Sequence, residues 1–379
     1  MTSTSSTIAK SGHHEANAAG LGAGERRAVM VWLLVVLALL GFMVVLGGVT
    51  RLTESGLSIT RWQPVTGVLP PLSEAQWQAE FELYRQIPQY QQVNAGMSLE
   101  AFKRIFWYEW AHRLLGRIIG LVFFIPLLAF TLRRRLDPPL LRRLWVIFAL
   151  GGLQGFMGWF MVASGLTERV SVSQYRLAMH LGLAFVIVGA ILWVLLDFLP
   201  ARKPVVLPAE RGRRVARWSA VLAGLILLQV LSGAIVAGID AGLIYQTWPL
   251  MDGALIPDGL FTAGAWWLDP FENHLTVQFD HRMLAYAILA GSLAYALGPA
   301  RALPQGSRAR ALATALPVAV TLQAALGVAT LWTGVDIAVA ATHQAGALVV
   351  FGLGIALAHD TRNVVLAHER GVDPGNAPA

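Results

Sequence analysis

The chain has no cysteine. Disulfides, thiolate metal ligands, iron–sulfur clusters and covalent c-type haem attachment are therefore excluded. Any bound iron must be held by His, Met, Tyr or a carboxylate. Charge is scarce too: Asp, Glu, Lys and Arg make up 13% of 379 residues, against 56% hydrophobic. A soluble protein of this length needs more charged surface, so this is membrane composition. Lys and Arg are missing from two loops in particular, 239–276 and 334–338.

What is present is a set of eight apolar stretches, each near the ~20 residues a helix needs to cross a bilayer. They lie at about 28–49, 109–131, 143–163, 176–198, 216–238, 279–298, 312–333 and 339–358. The net charge of +7 invites a nucleic-acid partner, but the basic residues gather in alternate loops. Arg133, Arg134, Arg135, Arg142 and Arg143 lie between the second and third stretches. Arg202, Lys203, Arg211, Arg213, Arg214 and Arg217 lie around the gap between the fourth and fifth, and Arg301, Arg308 and Arg310 between the sixth and seventh. That is the positive-inside pattern, and the partner it implies is a lipid bilayer, with no nucleic acid. Both termini are expected on the cytoplasmic side of a bacterial inner membrane, or on the matrix side in a mitochondrion.

Residues 1–27 are rich in Ser, Thr, Ala and Gly and read as a disordered cytoplasmic tail. They are too poor in arginine for a mitochondrial presequence, and the first apolar stretch is long enough to span rather than be cleaved. His13 and His14 in this tail are read as solvated. A four-helix half at 28–199, a basic linker at 200–215, a second half at 216–360 and a cytoplasmic tail at 361–379 complete the expected organisation.

The two halves repeat. Gly56-Leu57, Trp62, Pro64, Gly67, Leu69 and Pro70 follow the first stretch; Gly242-Leu243, Trp248, Pro249, Gly253, Leu255 and Pro257 follow the fifth. Leu153-Gln154 with Gly158 recurs as Leu322-Gln323 with Gly327. Glu109-Trp110-Ala111-His112-Arg113 recurs as Gln278-Phe279-Asp280-His281-Arg282, and each half adds one more histidine, His180 and His343. Four spans per half give both halves one orientation, so the repeat is parallel, about an axis along the membrane normal. The expected fold is an all-α membrane protein of eight transmembrane helices, built as two parallel-repeat four-helix bundles.

All four histidines fall near the starts of stretches that run outside to inside, which places them at similar depth in the outer leaflet. Ionisable groups inside a span are costly and mark function by default. Gly116, Ala184, Ala285 and Ala347 follow them by one helical turn on the same face, leaving room for a flat macrocycle. Paired histidines without a carboxylate-rich shell, and without further ligands for zinc, fit haem iron better than a bare metal. The plainer reading of each histidine alone is a hydrogen-bonded helix contact. Arg113 and Arg282 are placed to pair with haem propionates; their plainer reading is snorkelling to the interface.

Glu109 shares a helix face with His112. Ser98 is the expected N-cap, with Glu100 in the first turn and Met97 stapled to Phe102, so Phe102, Ile105, Glu109, His112 and Gly116 form one stripe. A carboxylate then stands beside the first haem edge, where the second half has Gln278. The plainer reading is an i,i+4 ion pair with Arg113. In the outer loop at 50–108, Ser73 and Gln76 have capping-box spacing ahead of Trp77, Phe81 and Tyr84. That segment reads as an interfacial helix, with covering of the first site as the sharper alternative. Trp266 and Trp267 read as interface anchors.

Gly47-Gly48-Val49-Thr50-Arg51-Leu52-Thr53, Ser55-Gly56-Leu57-Ser58 and Glu109-Trp110-Ala111-His112-Arg113 resemble haem A synthase, of the type shared by proteobacteria and mitochondria. Phe279-Asp280-His281-Arg282 and Thr342-His343-Gln344 add to the resemblance, which covers nearly all of 28–360. It implies an eight-helix enzyme that oxidises the C8 methyl of haem O to the formyl of haem A, destined for cytochrome c oxidase. It implies haem b as cofactor on His281 and His343, the substrate haem on His112 and His180, and Glu109 as the residue essential to oxidation. Haem O synthase and cytochrome oxidase assembly factors are implied partners, beside an unidentified electron acceptor. Some members carry a cysteine pair in an outer loop; this chain has none, which excludes any disulfide-linked step. Two other functions remain open from the residues alone: a di-haem electron carrier of the cytochrome b kind, and a parallel-repeat transporter moving protons on histidines.

Overall fold

A computed structural model describes residues 22–63, 66–167, 169–199, 205–262, 265–362 and 365–366. His13, His14 and Pro64 lie outside the described residues, as does most of each expected tail. Among the described residues, eight helices are long and apolar enough to cross a membrane. They are Ala23–Leu52, Leu99–Leu132, Pro138–Ala163, Gln174–Asp197, Ala209–Gly238, His274–Leu297, Arg308–Trp332 and Ile337–Thr361, the first to eighth spans below. A single two-residue parallel pair, Val206–Leu207 with Val365–Leu366, is the one strand pairing among the described residues.

The apolar windows located all eight spans, but the helices begin earlier than the windows. Helix N-termini leave backbone N–H groups to be satisfied, and polar residues before the apolar run do this. Ser98 caps the second span by accepting from Ala101 N–H at 3.2 Å. Asn273 caps the sixth, accepting from Leu275 and Thr276. Ser307 caps the seventh at Arg310 N–H, and Asp336 the eighth at Ala338 and Val339. The fifth span starts at Ala209, so much of the stretch expected as a basic linker is helix. The first starts at Ala23, within the expected tail.

Spans one to four pack one on two, two on three, three on four and four on one. Spans five to eight pack five on six, six on seven, seven on eight and eight on five. Four packs on five, eight on one and four on eight. The core that joins these groups includes Val44, Phe185, Leu222, Ile226, Val350 and Phe351. Polar ties reinforce it. Arg51 bonds Asp240 at 2.8 Å, and Gln344 donates to the Val44 carbonyl at 2.9 Å. On the side of the basic loops, Asp197 accepts from Arg143 at 2.9 Å, from His359 at 3.0 Å and from Arg362.

The loop after the first span folds onto the second. Ser73 and Gln76 form the expected capping box at the start of helix Glu74–Tyr84. Trp77, Phe81 and Tyr84 pack on Phe102 and Phe106 rather than facing lipid. Met97 joins the same cluster. The Tyr84 hydroxyl donates to Gln89, whose amide donates to the Glu54 carbonyl. Burial pushes the Tyr84 pKa up, so the hydroxyl stays a donor. Trp266 and Trp267 are exposed, as an interfacial anchor requires.

Candidate functional site

Each of the four histidines rests on a glycine of a neighbouring span. His112 Cε1 lies where a Cβ on Gly47 would come within 2.9 Å. The same relation joins His180 to Gly158 at 3.1 Å, His281 to Gly233 at 3.1 Å and His343 to Gly327 at 3.0 Å. A methyl group at any of these positions would press on the ring. Glycine thus lets the imidazole edge sit against a facing backbone, and each of the four histidines is only partly buried as a residue. His112 and His180 belong to the first group of packed spans, and His281 and His343 to the second. His112 is well inside its helix, which begins at Leu99, as the expected Ser98 cap required, and so earlier than the apolar stretch alone.

Three of the four histidines are also gripped by a carboxamide one turn before the glycine. Gln154 Nε2 donates to the His180 carbonyl at 3.1 Å and lies 3.2 Å from its Nδ1. Gln229 does the same to His281, at 3.0 and 3.1 Å, and Gln323 to His343, at 2.7 and 3.1 Å. Ser232 adds a contact to His281 Nδ1 at 3.2 Å. Sequence reading paired Gln154 with Gln323 but missed Gln229. The signal was there: Leu-Gln followed by Gly five residues after the Leu occurs at 153–158, 228–233 and 322–327. The first span has Met43 where the others have Gln.

Glu109 is 3% exposed and fully engaged. Its Oε2 accepts from Ser58 Oγ at 2.8 Å and Ile59 N–H at 2.7 Å. Its Oε1 accepts from Arg113 Nε at 3.0 Å and Nη2 at 2.5 Å. The i,i+4 ion pair therefore forms, and Arg113 also donates to the Ile59 and Arg61 carbonyls. The second half repeats the layout with the charge removed. Gln278 Nε2 donates to the Tyr245 carbonyl at 2.9 Å, and Arg282 Nη2 to the same carbonyl at 3.0 Å. Ile59 and Tyr245 hold the same place in the repeat, three residues after Gly56 and Gly242.

The one-turn neighbours do less than the sequence implied. Gly116 faces the Met43 methyl, 3.2 Å from where a Cβ would stand, and Ala184 and Ala347 pack into the core between the span groups. The facing glycines make the room. Haem fits this donor set on a second count. Oε1 of Gln154, Gln229 and Gln323, and Nδ1 of His112, are buried without a hydrogen-bond partner. In this structure it is Nε2 of each glutamine that lies near Nδ1. An imidazole bound to iron through Nε2 would carry its proton on Nδ1, and the carboxamide would have to turn for Oε1 to accept it. Among the described residues no group of three or more His, Asp or Glu could hold a bare ion.

A sequence model of the family described as "Cytochrome oxidase assembly protein" (COX15-CtaA) matches residues 30–355. A protein named "Heme A synthase" from Parvibaculum lavamentivorans is 53% identical over 335 residues, 88% of this chain and 94% of its own length. The chain belongs to the haem A synthase family. Another member, from Rhodopseudomonas palustris, is 54% identical over 333 residues, covering 87% of this chain and 90% of its own. One from Agrobacterium fabrum is 51% identical over 332 residues, covering 88% and 90%. The haem A synthase match spans all four histidines and Glu109, so site and family describe one region of the chain.

Proposed function

We propose that this chain is a multi-pass membrane oxidoreductase that converts haem O to haem A for cytochrome c oxidase. The substrate haem is held in the half at 28–199 by His112 and His180, and haem b in the half at 216–360 by His281 and His343. Haem b held there supplies a one-electron acceptor next to the substrate half. The two halves form parallel-repeat bundles, with both termini on the cytoplasmic side, as the basic loops favour. Arg113 and Arg282, one residue after a ligand histidine in each half, sit at the haem edges.

One observation carries the reading: two pairs of glycine-seated imidazoles, with a buried carboxylate beside only one pair. His112 and His180 would hold the substrate haem through its iron, which would leave the ring edge as the place where the other residues of the chain can act. Glu109, held by Ser58, Ile59 and Arg113, stabilises positive charge that develops there or takes up a proton released from the methyl. A di-haem electron carrier would use the same imidazole pairs but has no need of Glu109 opposite Gln278.

Pigment extraction from the purified protein tests this. Haem O or haem A beside haem B is the expected result, and haem B alone would favour the carrier. Glu109→Gln is expected to retain haem while losing haem A formation; normal haem A output would sink the role of Glu109.

A further inference from the structure

Val44 to Gly48 is one turn of the first span, and two side chains from other spans meet it there. His112 seats its ring on Gly47, where a Cβ would stand 2.9 Å from Cε1. Gln344, the residue after His343, reaches the same turn from the eighth span. Its Nε2 donates to the Val44 carbonyl at 2.9 Å, and its Oε1 fills the space that a Cβ on Gly48 would need. The neighbour of a histidine in the second group thus rests on the turn that seats a histidine of the first.

The repeat supplies a comparison. Gly233 corresponds to Gly47 as a seat, so Val230 and Ala234 correspond to Val44 and Gly48, and Leu181, after His180, corresponds to Gln344. Leu181 joins the apolar clusters that hold Val230 and Ala234. The two groups of spans therefore meet at two related seams. The seam of spans four and five is apolar at this point, and the seam of spans eight and one carries a hydrogen bond.

Building on the assignment of His112 and His180 to the substrate haem and of His281 and His343 to haem b, we propose that Gln344 is a positioning residue that fixes how the haem b half stands against the substrate half, and with it the separation and mutual orientation of the two haems. Leu181 shows that packing at such a seam needs no polar group. A side-chain amide inside an apolar contact is costly unless it is bonded, and a single polar group kept there sets register. Apolar packing is non-directional and tolerates small slips. A hydrogen bond demands both distance and angle, and the bare Cα of Gly48 gives the amide one place to lie. A slip of this seam would move His343 through its own helical turn and His112 through Gly47. Electron transfer between two haems falls steeply with separation, so their placement is where such a tie has value.

The absence of cysteine gives a direct test, because introduced cysteines carry spin labels at chosen places only. Leu121 of the second span and Val349 of the eighth are exposed and serve as label sites after Leu121→Cys and Val349→Cys. Pulsed electron–electron double resonance on the labelled full chain should give a narrow distance distribution. Adding Gln344→Met, which keeps length and removes the donor, should broaden or shift it. Adding Leu181→Met, a change of similar size in the apolar seam, should leave it narrow. In unlabelled protein, Gln344→Met should keep the parent's haem B content, change the Soret circular dichroism that two neighbouring haems generate, and lower haem A output. An unchanged distribution in Gln344→Met, or equal broadening in Leu181→Met, overturns the proposal. Normal haem A output from Gln344→Met protein whose distances have broadened overturns it as well. Haem B retained by both His281→Ala and His343→Ala overturns the haem assignment, a failure that the distance measurement does not share.

Discussion

Ser58 donates its hydroxyl to Oε2 of Glu109 at 2.8 Å, fastening the outer loop to the second span at the one buried carboxylate beside a histidine pair. Ile244 occupies the matching place in the second half, where Gln278 donates to the loop instead of accepting from it. Two differences between the repeats, Ser58 for Ile244 and Glu109 for Gln278, thus turn a neutral tie into an anionic one. Ser58→Ala should leave Oε2 with the Ile59 N–H alone. The loss of one hydrogen bond to a charged group costs about 2 kcal/mol. Haem content should stay at the parent level while haem A output falls several-fold, read by pigment chromatography.

Glu109→Ala and Glu109→Gln should separate in stability. The Arg113 side chain is 14% exposed and the Glu109 side chain 4%. Removing the carboxylate leaves a largely buried guanidinium with only backbone carbonyls, a loss of about 3 kcal/mol. Gln keeps an amide oxygen for Ile59 or Arg113 and should cost about half of that. Thermal unfolding in detergent should rank parent, Glu109→Gln and Glu109→Ala in that order. Equal midpoints for the two variants would show that Arg113 finds another partner.

The glycine seats make a localised prediction. A Cβ at Gly327 would stand 3.0 Å from His343 Cε1, and at Gly233 3.1 Å from His281 Cε1. Overpacking of this kind costs about 1–3 kcal/mol and displaces the ring. Gly233→Ala and Gly327→Ala should each lower the haem B content of the protein and shift its reduced absorbance, while the haem of the other half stays bound. Gly151→Ala is the control: it faces open space in the same kind of helix. Full haem B in both seat variants would show that the imidazoles have room to turn aside.

Much of this was legible in the sequence, because a membrane span advertises itself. Apolar length located eight helices. The Glu109–Arg113 ion pair followed from helical spacing, and Ser98 and Ser73 announced their caps. What the sequence hid were relations between helices. Gly47 and Gly233 look like ordinary small residues of a span until His112 and His281 are placed against them. Gln229 escaped the repeat comparison because its counterpart in the first half is Met43, whereas Gln154 and Gln323 match each other. Trp77 and Phe81 read as a lipid-facing surface because amphipathicity does not say which apolar neighbour the helix will find; the extension of the second span to Leu99 supplied it.

The last prediction concerns the far end of the molecule. Asp197 closes the fourth span, with its side chain 10% exposed. It gathers Arg143 of the third span at 2.9 Å, His359 of the eighth at 3.0 Å and Arg362 just beyond it. Asp360 pairs in turn with Arg308 of the seventh. One carboxylate thus ties a helix of the first group to a helix of the second, on the side away from the imidazoles. Asp197→Asn keeps the shape but leaves two guanidinium groups competing for one neutral oxygen. Breaking a partly buried pair costs about 3 kcal/mol, with the more exposed Arg143 contributing least. Because the histidine pairs lie near the opposite ends of their spans, haem content and haem A output at low temperature should match the parent. The thermal midpoint should fall, and high salt should narrow the gap by weakening the exposed part of the pair in the parent. A variant that unfolds with the parent but has lost haem would show that the Asp197 cluster acts on the sites themselves rather than on the contact between span groups.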